Sequence, residues 1–303
     1  MFSRFSLYFD EVVRSGSIRR AAERLHISPS AIDRHILLME EKLGVSPFER
    51  HAQGLRMTAA GEVLITHVRR WRRDLRHAQA QIDDLRGLRR GEVTIAIAEG
   101  VIDFLAATLI PFRDAYPGID QNIIVAGAQV VADMILEGRA EIGLTFNPPE
   151  GPGLRLERTL VYQVGAVVAP GHALAQRSEV AFAECEDHRL VIPDDTLSYR
   201  AILETVWGKT IGGRVRGAIN ANSIAMIKKL VKAGVGVGML TQIDIAAEIA
   251  AGELVFIPLS EPGIPLSVLS LITASGRTLS APASLLLQAV SKDMRDTDGT
   301  GIG

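Results

Sequence analysis

A chain of 303 residues has room for about two domains of ordinary size. With 47% apolar and 22% charged residues, it is neither disordered, nor collagen-like, nor a disulfide scaffold. The single cysteine, Cys185, excludes an intramolecular disulfide and points to a reducing compartment. The opening residues lack the apolar run of a signal peptide, and no stretch reaches the ~18 apolar residues of a membrane span, so the expected location is cytoplasmic. Charge is uneven along the chain: residues 1–90 hold 17 Lys+Arg and 11 Asp+Glu, whereas the remaining 213 hold 16 and 24. A basic head on an acidic body suggests that the head meets a polyanion such as nucleic acid. The alternative is that surface charge simply varies between domains.

Taken in chain order, Ser3 is positioned to cap a first helix with Phe5, Phe9 and Val12 on its apolar side, stopped at Gly16. Ser17 caps a second helix whose stripe is Ala21, Ala22 and Leu25. Ser28-Pro29 opens a third, with a cap oxygen followed by a proline that loses no useful N–H. Ala31, Ile32, Ile36, Met39 and Leu43 form its buried side, and Gly44 ends it. Two short helices in succession, the second strongly capped, match a helix-turn-helix, whose second helix enters the major groove by its N-terminal half. Ser30, Asp33, Arg34 and Leu37 face away from the buried side. Arg34 can donate two parallel hydrogen bonds to a guanine edge or hold a phosphate. Ser17 and Ser28, at helix starts, suit phosphate oxygens, and Arg20 joins the DNA-binding candidates. Asp33 either accepts from a cytosine amino group or pairs with Arg34, Arg19 or Arg20. Residues 47–57 read as a hairpin or wing turning at Gly54, with Arg50 and Arg56 either contacting the DNA backbone or standing as solvated wing residues.

Thr58 caps a long helix carrying Leu64, Val68, Trp71, Leu75, Ala78, Ile82 and Leu85 at alternating spacings of four and three. This a/d stripe is about 30 Å long and narrow, with charge around it, which suits a partner helix. Leu64, Val68, Trp71, Leu75, Ile82 and Leu85 are therefore the dimerisation candidates. The alternative is a helix packed on its own domain.

The residues carry a family resemblance. The run Ser15-Gly-Ser-Ile-Arg-Arg-Ala-Ala-Glu-Arg-Leu25, Ser28-Pro-Ser-Ala-Ile-Asp-Arg-His-Ile36, Glu40-Glu-Lys-Leu-Gly44, Phe48-Glu-Arg50 and Met57-Thr-Ala-Ala-Gly61 resembles the N-terminal domain of the LysR-type transcriptional regulators. Ile18 replaces a usual Phe, Pro29 a frequent Gln, Asp33 a frequent Ser or Thr, and Leu37 and Leu38 replace polar or basic residues. The usual base contacts therefore do not transfer, although Arg34 matches.

Beyond residue 90 the pattern alternates. Strands are predicted at 93–98, 121–125, 142–145, 163–169, 189–192, 236–240 and 266–272. Helices are predicted at 130–137, 199–207, 223–233, 243–251 and 281–294. Phe112-Arg-Asp-Ala-Tyr-Pro-Gly118, Leu136-Glu-Gly-Arg-Ala-Glu-Ile-Gly-Leu144, Pro170-Gly-His-Ala-Leu174 and Val231-Lys-Ala-Gly-Val-Gly-Val-Gly-Met239 echo the effector domain of the same regulators. That resemblance implies a two-lobed α/β body like periplasmic binding proteins, with crossovers at 164–169 and 264–268. The expected fold is α+β overall. A winged helix-turn-helix spans 1–58 and a linker helix 59–90. The effector domain spans 91–295 (lobe I 91–163 and 268–295, lobe II 164–267), and a tail follows at 296–303.

Ligands of such sheets bind outside the carboxyl ends of the strands. That rule selects Glu99, Gly100 and Val101, then Ala128 and Gln129, then Thr145 and Asn147, and from the other lobe Thr196, Ser198, Tyr199, Asn222 and Ser223. The resemblance implies that small carboxylates are frequent effectors and that Ser or another small polar residue is frequent at the position of Glu99. A glutamate there favours an amine-bearing ligand, caps a helix, or meets an arginine.

Enzyme signals fail. Gly234-Val-Gly-Val-Gly-Met239 lacks the last glycine of a nucleotide loop and follows a helix, so close packing explains it better. Asp194-Asp195 are adjacent loop acids, the histidines lack metal-ligand spacing, and Cys185 is flanked by acids that raise a thiol pKa. No cofactor or metal is expected. The expected function is a DNA-binding regulator, with operator DNA, a small-molecule effector, itself (a dimer or dimer of dimers) and RNA polymerase as partners. The alternatives are a DNA-binding protein without ligand response, and a solute-binding or enzymatic α/β protein.

Overall fold

The computed structural model describes residues 2–51, 54–85, 90–210 and 219–298. The chain divides into two compact units between the helix that ends at Leu85 and the strand that opens at Gly91. The first holds α1 (Phe2–Ser15), α2 (Ile18–Leu25), α3 (Pro29–Leu43), the antiparallel hairpin β1 (Phe48–His51) and β2 (Gly54–Met57), and α4 (Ala59–Leu85). Helix α1 starts at Phe2, so Ser3 lies inside it rather than capping it. Ser17 and Ser28 do cap α2 and α3, accepting from the N–H groups of Arg20 and Ala31, and Pro29 takes the first position of α3. The turn between α2 and α3 closes with His26 left-handed at φ 53°. Phe5, Phe9, Val12, Ala21, Ala22, Ile32, Ile36, Phe48, Ile65 and Val68 form one core. Leu43, assigned by periodicity to the buried side of α3, is exposed at the helix end.

Two close approaches hold this unit together. A Cβ on Gly61 would lie 2.2 Å from the Pro47 carbonyl oxygen, and one on Gly54 2.7 Å from that of Gly16. Asp10, almost fully buried on α1, accepts from Arg69 (2.9 Å) and Arg72 (2.7 Å) of α4 and pairs with Arg14 (3.2 Å). Those arginines belong to the packing of α4 on α1.

The second unit holds two five-stranded sheets. The first has the order β4-β3-β5-β12-β6, built from β3 (Gly91–Ile97), β4 (Ile119–Val125), β5 (Ile142–Phe146), β6 (Leu154–Tyr162) and β12 (Ser267–Ala274). Between them run α5 (Ile102–Ala115), after a short 3-10 turn at Glu99–Val101, and α6 (Ala128–Glu137). The second sheet has the order β11-β7-β10-β8-β9, built from β7 (Val164–Val168), β8 (Leu190–Pro193), β9 (Ile219–Ala221), β10 (Val237–Thr241) and β11 (Val255–Pro258). Its helices are α7 (Phe182–Glu186), α8 (Tyr199–Thr210), α9 (Ile224–Lys232) and α10 (Ala246–Ala250), and α11 (Ala281–Asp298) returns to the first sheet.

The pleat sorts the core. Val93, Ile95 and Ile97 face Leu105 and Phe112 of α5 and Leu286, Val290 and Met294 of α11, while Ala96 faces Val131, Met134 and Ile135 of α6. The chain crosses from the first sheet to the second through Gln163 alone and returns through residues 259–266. Residues 164–168, expected as a strand at the crossover, form the fully buried β7, which enters the second sheet directly after that crossing. Gly236 and Gly238 serve packing: a Cβ on Gly236 would meet the Arg189 carbonyl oxygen at 1.9 Å, and one on Gly238 would meet Val231 at 2.8 Å, whereas Gly234 takes the left-handed turn after α9 at φ 72° with open space around it.

Candidate nucleic-acid interface and ligand cleft

On the first unit, α2 and α3 are joined by a three-residue turn, and α3 turns Ile32 and Ile36 into the core. Its opposite side carries Ser30, Arg34, Leu37 and Leu38, all exposed, with Asp33 half-buried. Ser28 and Arg20 are exposed and Ser17 is half-buried. Ser30 donates to the Ser28 hydroxyl at 3.1 Å, which places both hydroxyls at the start of α3. Arg50 lies in β1, but its side chain is outside the described residues.

The stripe on α4 divides. Val68 is fully buried beside Ile65, and Leu64 packs on the same core, so these two dimerisation candidates are used within the unit. Trp71, against His67, and Leu75 are 49% and 62% exposed. Ile82 and Leu85 lie on the helix, but their side chains are outside the described residues.

In the second unit a cleft of about 590 Å³ opens between the two sheets. From the first lobe it is lined by Glu99 and Gly100 after β3, Ala128 and Gln129 at the start of α6, and Thr145 at the end of β5. From the second lobe come Thr196, Ser198 and Tyr199 between β8 and α8, and Asn222 before α9. Three candidates fall elsewhere. Val101 is fully buried in the core, because the 3-10 turn rotates it inward. Asn147, left-handed at φ 43°, accepts from the Val268 N–H at 2.8 Å and ties β5 to β12. Ser223 caps α9 by accepting from Met226 at 3.2 Å. Phe146 and Tyr199 meet edge-on across the cleft, with centroids 5.2 Å apart. The Thr145 hydroxyl is fully buried and has no hydrogen-bond partner within the chain.

Glu99 caps a helix of the opposite lobe. Its carboxylate accepts from the Ser223 hydroxyl and from the N–H groups of Ile224 and Ala225, each at 3.0 Å. Beside it, Asp244 is buried and accepts from the Tyr199 hydroxyl (2.9 Å) and from the Thr241 N–H (2.8 Å) and hydroxyl (2.7 Å). Burial pushes the Asp244 carboxyl up to about 6, against the pull of the Thr241 and Tyr199 hydrogen bonds. Burial, then the Asp244 charge, pushes the Tyr199 hydroxyl well above its ordinary value. Lys228 on α9 donates to the Asp244 carbonyl (3.1 Å), pairs with Glu248 (2.9 Å) and reaches Asp103 of the first lobe (3.6 Å). Sequence reading missed Asp244 and Lys228. Extending the strand-end rule to β10, which ends at Thr241, selects Asp244.

Two family descriptions match the chain: the bacterial regulatory helix-turn-helix protein of the lysR family over residues 6–62, and the LysR substrate binding domain over residues 86–295. The chain belongs to the LysR family. It is a DNA-binding transcriptional regulator with a small-molecule-binding domain, not an enzyme. Among curated relatives, the "Transcriptional activator protein LysR" of Escherichia coli is 29% identical over 284 residues, 93% of this chain and 89% of that one. The "RuBisCO operon transcriptional regulator" of Allochromatium vinosum is 24% identical over 247 residues, 82% of each chain. A full-length OxyR variant of Pseudomonas aeruginosa shares the fold, with a TM-score of 0.70 at 17% identity, covering 97% of this chain and 94% of that one. Among the described residues no helix is long and apolar enough to cross a membrane, and no three His, Cys, Asp or Glu cluster to hold a metal ion.

Burial pushes the Cys185 thiol up to about 12, with the Glu261, Glu184 and Glu186 charges adding to it. The acids singled out in the sequence act in that direction, but burial is the larger cause.

Proposed function

We propose that this LysR-family chain is a cytoplasmic homodimer, or a dimer of dimers, whose promoter binding is set by a small molecule held between the lobes of residues 91–295. Arg34, Ser30 and Asp33 meet base edges, while Ser17, Ser28, Arg20 and Arg50 meet phosphates. Trp71, Leu75, Ile82 and Leu85 supply the seam between subunits. RNA polymerase is the partner through which DNA occupancy becomes transcription.

The observation that carries the ligand reading is the fully buried Thr145 hydroxyl, unpartnered, on the wall of a cleft between lobes joined by only two chain crossings. A buried hydroxyl without a partner costs about 1–3 kcal/mol. A ligand that supplies that partner favours the arrangement of the lobes in which it binds, and such differential affinity is the requirement for control.

The test is fluorescence anisotropy of the full chain on the DNA upstream of its own gene, repeated across a panel of small metabolites. At least one compound is expected to change the apparent affinity, by about 5–150-fold at ordinary coupling strengths. Thr145→Val should remove that response while leaving ligand-free DNA binding unchanged. A complete absence of response, or a response indifferent to Thr145→Val, contradicts the proposal.

A further inference from the structure

Helix α9 begins at the cleft, and its first three N–H groups all have acceptors. Ile224 and Ala225 donate to Glu99, and Met226 donates to the Ser223 hydroxyl. The start of a helix is ordinarily an anion site, because free N–H groups and the helix dipole point at the ligand. Here the chain supplies the anion itself, from the end of β3 on the other lobe. Both oxygens of Glu99 are engaged: Oε1 by Ser223 and Ala225, Oε2 by Ile224.

The rest of the lining agrees. Glu99 and Asp195 are the charged residues on the cleft wall, and no lysine, arginine or histidine lines it among the described residues. An incoming carboxylate would find its N–H donors taken and two negative groups beside it. The hydroxyls of Thr145, Thr196 and Ser198 and the amides of Gln129 and Asn222 suit a neutral or cationic polar molecule instead.

We propose that Glu99 is a built-in anion, which fills the helix-terminus subsite between the lobes and makes the cleft selective for neutral or cationic polar ligands over carboxylates. The ligand selectivity rests on the effector reading above; the occupancy of the subsite by Glu99 does not. The Glu99 contact lies beside the Asp103–Lys228 pair and the approach of Gly100 to Asp244, so it also helps to hold the two lobes together.

Chemical rescue tests this without knowing the effector. The full chain and Glu99→Ala are melted in sodium acetate up to about 100 mM, with sodium chloride at matched ionic strength as reference. Wild type is expected to melt alike in both salts. Glu99→Ala is expected to melt lower in chloride and to regain roughly 2–4 °C in acetate, with saturation. If wild type gains as much from acetate as the variant does, the helix terminus is open to anions and the proposal is overturned. It is equally overturned if acetate leaves a folded Glu99→Ala unmoved. Glu99→Ser replaces it if the alanine variant does not fold, and the wild-type arm can overturn the proposal by itself. In the anisotropy panel, a stronger response to succinate than to putrescine or glycerol overturns the selectivity. If no panel compound alters DNA binding while acetate still rescues the variant, the effector reading fails and the Glu99 assignment stands.

Discussion

Gly100→Ala probes the contact between the lobes most sharply. A Cβ at Gly100 would sit 1.9 Å from Oδ1 of Asp244, where real Cβ atoms keep at least 3.0 Å, and 3.2 Å from the Tyr199 hydroxyl. Asp244 has little freedom to give way, because it is held by Tyr199 and twice by Thr241. Displacing it forfeits hydrogen bonds to a charged group, worth about 1.5–3 kcal/mol each. Opening the lobes instead pulls Glu99 off α9, with a similar loss. Added to overpacking of about 1–3 kcal/mol, either route destabilises by about 3 kcal/mol or more. In a unit of this size that lowers the melting temperature by roughly 6–12 °C. The assay is a thermal melt of the full chain beside Gly208→Ala, whose new methyl would meet nothing within 4 Å. If Gly100→Ala melts with wild type and with Gly208→Ala, the interlobe contact is not closed in the way described.

Two further outcomes are expected. Asp244 has its carboxyl raised to about 6 in the folded chain from an ordinary 3.8, so the protonated form is favoured by folding. Its contribution is fully present below pH 3.8 and is lost as pH rises through 6, by at most about 3 kcal/mol. Denaturant melts should show that loss between those limits, and Asp244→Asn should flatten it; a wild-type slope unchanged by the substitution contradicts the burial account. Cys185, buried and with its thiol raised to about 12, should resist iodoacetamide and dilute peroxide at pH 8 in the native chain and react once unfolded. Rapid native labelling would sink that assignment.

Much of the head was readable because its signals are local. Ser28 and Pro29 fix the start of α3 within one turn, and the small Ala21 and Ala22 mark where it packs. The stripe on α4 was harder, since Leu64 and Val68 have the same spacing whether they meet a partner helix or their own core, and Asp10, which organises the arginines, lies some sixty residues earlier. In the body the buried strands β3, β5, β7, β8 and β10 stood out as apolar runs. Strand β6 did not, because a bulge at Glu157 flips its alternation and charged residues fall on both sides of the bulge. The strand-end rule located Glu99, Thr145 and Tyr199 at the cleft, but the partner of Glu99 is on the other lobe, and only the packed fold brings them together.

The most direct test of the central claim is binding of the full chain to the DNA upstream of its own gene and its divergent neighbour, against a scrambled fragment, across a salt series. Phosphate contacts make affinity fall with salt on any DNA, so the informative quantity is the advantage of the native sequence. That advantage is expected to persist at physiological salt at 10³-fold or more, in order of magnitude. Arg34→Ala should reduce it by about 5–150-fold, as loss of one bidentate base contact does. Equal binding to both fragments, or an advantage untouched by Arg34→Ala, would contradict sequence-specific reading by α3.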